Sequence, residues 1–287
     1  MQVAVICVNY GSNTLAVKYL ESLAKASSRI SGQGELQVAL VDNTPFSAEQ
    51  DAFLNTISAY PFVDAFSSEG NLGYFGGVRA GVDRLGILKD PYPDWLIVSN
   101  VDVEVDLKFM EVLLSKNRAV GALAPAIISR RSGRDRNPKL LRPITVSKAR
   151  VQRFIFSTYL FQNLYIQLAL LKSFLSRSQS SESTAREIYA PHGSFMVFSS
   201  TFLSNGGNFD HPCFLFGEEI FIGQLLQKLR LPAVYDPELR VYDFDHASTG
   251  QWRSRQICRY AGESAKHSYE TICQEWESQR DHGKLIC

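Results

Sequence analysis

Asn100 and Asp102 stand in the stretch Trp95 to Val105, WLIVSNVDVEV, where the uncharged run Leu96, Ile97 and Val98 opens into Ser99-Asn100-Val101-Asp102 and two further acids follow at Glu104 and Asp106. An acid at the carboxyl end of a strand can hold a hard cation against a phosphate, and open α/β sheets bind ligands beyond those ends. A turn acid capping the strand explains Asn-x-Asp equally well. Asp42-Asn43 ends a second apolar run, LQVALV, where nucleotide-binding sheets hydrogen-bond a ribose or base, or where a simple turn stands before Pro45. The stretch from Glu69 to Gly81, EGNLGYFGGVRAG, suits a loop whose backbone N–H groups approach an anion closely. It matches neither GxGxxG nor a phosphate-binding Walker loop.

Two adjacent carboxylates, Glu218 and Glu219, follow the mostly apolar run Phe214-Leu-Phe-Gly217 and open a helical pattern. They are either first-turn acids favoured by the helix dipole or a general base whose proton affinity is raised by partial burial. Neighbouring helix residues point about 100° apart, so only one of the two faces a substrate. Single histidines occur in Ala190-Pro-His192-Gly193-Ser194, where a structural turn residue explains it equally well, and at His246, where a lone histidine is more often structural or surface than a ligand.

These residues need elements to position them. Val3 to Val8 predicts a strand, with a helix after Gly11 carrying Leu15, Tyr19, Leu20 and Leu23. Leu36–Val41 and Trp95–Val98 predict strands buried on both faces of a parallel sheet, with a short strand at 64–68 between them. Five glycines between 70 and 81 are too many for a helix interior, so a loop is expected there, opening a helix at Val78 to Leu88. A helix from 107 to 117, a strand at 122–128 and a return strand at 233–241 follow, with a packing helix from 251 to 276. The basic segment 129–143, interrupted by Gly and Pro, is expected to be a mobile surface loop. Ser176 to Ser183 reads as a linker.

The 287 residues, 45% hydrophobic and 21% charged, can bury a large core in one domain with an insertion or in two joined lobes. The start MQVAVICVNY has no basic n-region, which gives the expectation of no signal peptide and a cytoplasmic protein. Five scattered cysteines without a CxxC pair argue against a disulfide framework or a zinc site. The net charge of +1 is uneven: eleven Lys or Arg against the single acid Asp135 lie between 130 and 177. That asymmetry points to a negative partner, either a membrane surface or a phosphate-bearing acceptor; without a recognised motif, nucleic acid is not expected. Within this segment Phe154 to Leu171 carries no charge. Its polar residues lie all round the helix, unlike a bilayer span, so it is read as a helix lying on the inner leaflet, a buried helix or a dimer contact.

As a set, VNYGSNT, ALVDN, EGNLGYFGG and SNVDVEV resemble, in order and spacing, the motifs of family 2 glycosyltransferases. GGNFDHPCFLFGEE resembles the segment carrying that family's catalytic carboxylate, and YDFDHAST its C-terminal His-x-x-Ser/Thr. The resemblance covers roughly Met1 to Gly250 and looks most like rhamnosyltransferase-like enzymes of bacterial O-antigen, capsule and other surface polysaccharides. It departs in two places: Asn100 replaces the first Asp of Asp-x-Asp, and Arg79 stands where relatives often have Asn. That arginine could reach a diphosphate or pair with a surface acid.

The resemblance implies an α/β GT-A fold: a Rossmann-like, mostly parallel sheet flanked by helices, with a basic and apolar helical insertion and a C-terminal helix. It divides the chain into a nucleotide-sugar-binding half at 1–125, the insertion at 126–187, an acceptor and catalytic half at 188–250 and a helical segment at 251–287. Implied donor-binding residues are Asn9, Asp42, Asn71, Gly73, Arg79, Asn100 and Asp102. His192, Gly193 and Ser194 would lie on the acceptor side, and Glu219, with Glu218 as the alternative, would be the base. Asp102 and His246 would hold Mg or Mn. The implied reaction is inverting transfer from a nucleoside-diphosphate sugar, with dTDP-rhamnose as the closest guess and UDP-galactose, UDP-glucose and GDP-mannose open, to a lipid-linked or polysaccharide acceptor. Contact with the cytoplasmic face of the inner membrane through 130–177, and a homodimer, are part of the same expectation. The rivals are a sugar-1-phosphate nucleotidyltransferase, disfavoured by the lack of a GxGxRxxPLT-like start, and a non-catalytic sugar-binding partner of a glycan-assembly complex.

Overall fold

In the computed structural model, residues 1–175, 184–244 and 254–281 are described. The alternation of Val3, Val5 and Cys7 with Ala4 and Ile6 sends successive side chains into two separate cores, which is what a strand covered on both faces requires. This strand, β1 (Gln2–Asn9), lies parallel to β2 (Glu35–Asp42) on one side and β4 (Trp95–Asn100) on the other. β3 (Val63–Ser67) extends the parallel half beyond β2.

The other half is mixed. β8 (Phe195–Ser199) runs antiparallel between β4 and β6 (Ala122–Ser129); β6 is parallel to β9 (Ala233–Asp243), and β5 (Val103–Val105) and β7 (Arg186–Ile188) pair with β9 antiparallel. The sheet has nine strands among the described residues, in the order β3-β2-β1-β4-β8-β6-β9-β5, with β7 beside β9. The parallel expectation therefore holds for β1 to β4 and again for the β6–β9 pair, while β5, β7 and β8 run antiparallel to their neighbours. β6 crosses the 125/126 limit and β7 the 187/188 limit, because both strands belong to this central sheet.

Helices α1 (Asn13–Ser28), α2 (Ala48–Ile57) and α4 (Phe109–Leu114) pack on one face of the sheet. On the other lie α3 (Tyr74–Leu85), α7 (Ser200–Ser204) and α8 (Glu218–Leu229). α3 corrects the expected helix start: it begins at Tyr74 rather than Val78, so Gly76 and Gly77 lie inside the helix together with Gly81. The helix lies directly on β1: a Cβ at Gly77 would stand 3.0 Å from Val8 and one at Gly81 2.5 Å from Ile6. Close packing outweighs the roughly 1 kcal/mol that each helical glycine costs.

The basic stretch after β6 is anchored rather than a free surface loop. Asp135 accepts the N–H groups of Ile127 at 2.9 Å and Asn137 at 2.8 Å and the Tyr235 hydroxyl at 2.7 Å, while the Asn137 amide donates to the Pro125 carbonyl at 2.8 Å. The uncharged stretch 154–171 is not one helix. α5 (Val146–Ile155) stops, and α6 (Tyr159–Leu175) starts after Ser157-Thr158, with the Thr158 hydroxyl accepting the Phe161 N–H at 3.4 Å. α9 (Arg255–Asp281) packs against both. The expected linker, 176–183, lies outside the described residues.

Candidate active site

The ends of β1, β2 and β4 meet at one edge of the sheet, and polar side chains there bond first to one another. Asp42 is fully buried, and its carboxylate accepts the Asn9 amide at 3.1 Å, the Thr44 N–H at 3.1 Å, the Thr44 hydroxyl at 2.6 Å and the Gln50 amide. Asn9 is buried as well and also accepts the Ser12 N–H at 3.1 Å. Both expected donor-binding residues thus brace the strand ends from within. Their neighbours reach the open space: a cavity of about 290 Å³ is lined by Val8, Tyr10, Asn43, Asn71, Gly73, Tyr74 and Asn100, with Phe214 and residues of α9 opposite.

Gly73 adopts φ 73°, a left-handed value that glycine accepts without strain, and its N–H donates to the Asn71 side chain at 3.0 Å. The Asn43 amide donates to its carbonyl at 2.8 Å. Arg79 is exposed on α3 and is not among the residues lining this cavity; its charge instead helps disfavour the protonated form of His211.

The carboxylate pair is presented by a strained turn. Phe216 has φ 70°, a costly value for a residue with a side chain, and Gly217 follows with φ 88°. α8 begins at once with Glu218 and Glu219. The buried His211 ring donates from Nε2 to the Phe216 carbonyl at 2.9 Å, and Glu218 accepts the Phe216 N–H at 2.9 Å, so both backbone groups of the strained residue are used.

The two glutamates occupy different environments. Burial, and then the charge of Glu219, push the Glu218 carboxyl up to about 7. Burial would also raise Glu219, but the Lys139 ammonium at 3.8 Å, its own backbone N–H and that of Gly193 outweigh it, leaving that carboxyl below its usual range. The raised proton affinity expected of a base therefore falls on Glu218, whereas Glu219 is the one ionised at neutral pH.

Gly193 and Ser194 join the two halves of the site. The Gly193 N–H donates to Glu219 at 3.3 Å, and the Ser194 carbonyl accepts the N–H of Asn100 at 3.0 Å. Glu219 is thereby linked through two consecutive residues to Asn100, the last residue of β4, two positions before Asp102. The Tyr74 hydroxyl donates to the Gly193 carbonyl at 2.7 Å, and burial holds that phenol well above its ordinary range, hence neutral. His192 accepts at Nδ1 from the Ser194 N–H at 3.1 Å, which leaves its ring proton on Nε2. Burial first, and then Lys139, lower its pKa to about 3, so this histidine is neutral.

Asn71, Gly73 and Asn100 thus line one cavity, and Gly193, Ser194 and Glu219 are tied to Asn100 and to the lining residue Tyr74 by the hydrogen bonds above. His246 lies outside the described residues. Asp102 and Asn100 offer hard oxygen donors of the kind Mg and Mn accept, which fits a divalent cation. Among the described residues no group of three or more His, Cys, Asp or Glu gathers around a point, so such an ion would draw much of its shell from phosphate and water. Sequence reasoning missed Tyr74, Lys139 and His211. Tyr74 stands inside a quoted motif, and His211 lies five residues before the strained turn, but no spacing marks Lys139, which is 80 positions from its partner.

No family model matches the chain. In sequence it is similar to N-acetylglucosaminyl-diphospho-decaprenol L-rhamnosyltransferase of Mycobacterium tuberculosis, 24% identical over 258 residues that cover 86% of this chain and 77% of that one. In structure it is similar to GalNAc-T7 with UDP, GalNAc and Mn2+, at a TM-score of 0.58 and 15% identity over 88% of this chain. It is also similar to the 1–349 portion of S. aureus TarS in complex with UDP-GlcNAc, at a TM-score of 0.53 and 12% identity over 93% of this chain. The chain spans 46% and 66% of the lengths of those two structures. The structural likeness shows the fold, the GT-A arrangement of a mixed central sheet flanked by helices.

Proposed function

We propose that this chain transfers a sugar, L-rhamnose from dTDP-rhamnose, to a hydroxyl of a lipid-linked or polysaccharide acceptor in bacterial surface-glycan synthesis, in one displacement with inversion. The observation that carries the proposal is the bridge through Gly193 and Ser194, with an ionised carboxylate at one end and the Asn100-x-Asp102 strand end at the other. Support for the sugar and the acceptor comes from the mycobacterial relative, whose name specifies L-rhamnosyl transfer to a decaprenol-linked N-acetylglucosaminyl diphosphate. A nucleotide-sugar donor and a divalent cation are supported by the UDP, UDP-GlcNAc and Mn2+ of the two structural neighbours.

In this reading the nucleoside lies in the cavity against Val8, Tyr10 and Asn43, with its diphosphate directed toward Asn71, Gly73 and Asp102. A cation held by Asp102, with His246 as the expected second ligand, would offset charge on the departing diphosphate. Glu219 takes the proton of the acceptor hydroxyl as that oxygen attacks the anomeric carbon. The Gly193 N–H fixes the carboxylate's orientation, and Lys139 keeps it deprotonated. Glu218, its carboxyl raised to about 7, lies behind it and holds the turn. Neutral His192 and Ser194 line the acceptor side. The reaction would take place on the cytoplasmic face of the inner membrane, where a lipid-linked acceptor is held.

The test is incubation with dTDP-rhamnose, UDP-galactose, UDP-glucose or GDP-mannose, Mn2+ and a prenyl-diphosphate-linked N-acetylglucosamine, read by mass spectrometry and by NMR of the new anomeric centre. One added deoxyhexose, of anomeric configuration opposite to the donor's, is the expected product. Retained configuration would reject the single displacement. Binding of nucleotide sugar without release of nucleoside diphosphate would favour a non-catalytic partner instead.

A further inference from the structure

The helical insertion is turned inside out. A surface helix normally sends its apolar stripe inward. In α6 the residues sent inward are amides: Gln162 and Asn163 are buried at 1% and 0% exposure. The Gln162 amide donates to the Cys258 carbonyl of α9 at 2.7 Å, and the Asn163 amide to the Cys258 sulfur at 3.6 Å. Leu160, Leu164 and Leu168, four residues apart along one face, point outward at 67%, 56% and 58% exposure. Phe161 and Tyr165 lie beside them, and Phe154 at the end of α5 joins the patch through its ring contact with Phe161 at 5.5 Å. A contiguous apolar patch of this kind marks an interaction surface.

Charge selects the occupant. Residues 136–175 contain seven Lys or Arg and no Asp or Glu. On α5, exposed Arg150 is one turn from Phe154, and exposed Lys148 one turn from the outward Val151. A second copy of the chain would bring two such cationic rims together, whereas a bilayer rich in anionic headgroups complements both the rim and the stripe. Among the described residues no helix is long and apolar enough to cross a membrane, so the element would lie along the surface.

We propose that the outer face of α5 and α6 docks this protein on an anionic lipid bilayer, with the leucine stripe inserted below the headgroups and Lys148 and Arg150 set against lipid phosphate. The contact rests on this surface alone and stands or falls separately from the sugar transfer proposed above.

The test is co-sedimentation of the full chain with vesicles of phosphatidylcholine alone or of phosphatidylcholine and phosphatidylglycerol in equal parts. Binding at least roughly tenfold stronger to the anionic vesicles is expected, falling with salt. Leu164→Gln with Leu168→Gln should reduce it about tenfold or more, and Lys148→Glu with Arg150→Glu should remove the preference for anionic lipid. All four side chains are exposed, so the melting temperature should be unchanged, and each variant pair tests the surface without the other. The proposal is overturned if the wild type binds neither vesicle, or if both variants bind like the wild type. It is equally overturned if sedimentation velocity shows a dimer that the leucine substitutions dissociate while vesicle binding is absent.

Discussion

His211 clamps Phe216: the imidazole Nε2 donates to the Phe216 carbonyl at 2.9 Å, across the left-handed turn that delivers Glu218 and Glu219. A backbone held at φ 70° persists only where surrounding bonds over-determine it. His211→Ala should therefore cost about 1–3 kcal/mol of stability by leaving a buried carbonyl without its donor. It should also lower kcat while the donor-induced thermal shift survives, because the cavity walls are built from other residues. Full turnover in a merely less stable variant would make the clamp structural only.

Glu219→Gln keeps the shape and the N–H contact with Gly193 but cannot take a proton. Turnover should fall by about 10²–10⁴-fold with donor affinity nearly intact. Glu218→Gln, which replaces a carboxyl raised to about 7 and engaged by the Phe216 N–H, should be far milder. The reverse ranking, measured by release of nucleoside diphosphate, would transfer the base role to Glu218.

Lys139 reaches the site from the basic segment, and its ammonium, working against burial, helps keep the Glu219 carboxyl low. In Lys139→Ala the acid limb of the kcat/KM profile should move to higher pH, since Glu219 would then bind its proton more readily. An unmoved limb with unchanged rate would remove Lys139 from the mechanism.

Glu218 predicts a pH signature in stability. Burial, and then the neighbouring charge, raise its carboxyl from 4.5 to about 7, so across that window the folded chain holds a proton that the unfolded chain has released. Stability should therefore fall as pH rises from 4.5 to 7, by at most about 1.4 kcal/mol per pH unit. Glu218→Gln should flatten that slope in urea unfolding, and a slope identical to wild type would contradict the assignment.

Asp102→Ala should abolish the manganese-dependent part of the thermal shift given by a nucleotide sugar, as expected when a ligand no longer binds the folded state through a cation. An equal shift with and without manganese in the wild type would remove the ion from donor binding.

Much of this was legible in the chain because burial writes itself into composition. Uncharged runs such as Leu96–Val98 must be central strands, and the residues that end them, Asn43 and Asn100, do stand at the cavity. Asp42 was legible as a strand-end acid but not as a brace, because only three-dimensional placement shows which donors reach its oxygens. The glycines of α3 misled for the same reason: helix propensity argues against them, while their lack of a side chain is what lets the helix touch Ile6 and Val8. Lys139 and His211 left no periodic trace, since each acts across a turn or a long loop rather than along an element.

Tyr74 is held at both ends, its N–H on the Phe214 carbonyl at 3.1 Å and its hydroxyl on the Gly193 carbonyl at 2.7 Å. One aromatic residue thus rivets together the Gly-rich wall, the approach to the carboxylates and the bridge to Asn100. A displacement of any one of these three pieces therefore loads the same two hydrogen bonds, so a single side chain couples them mechanically.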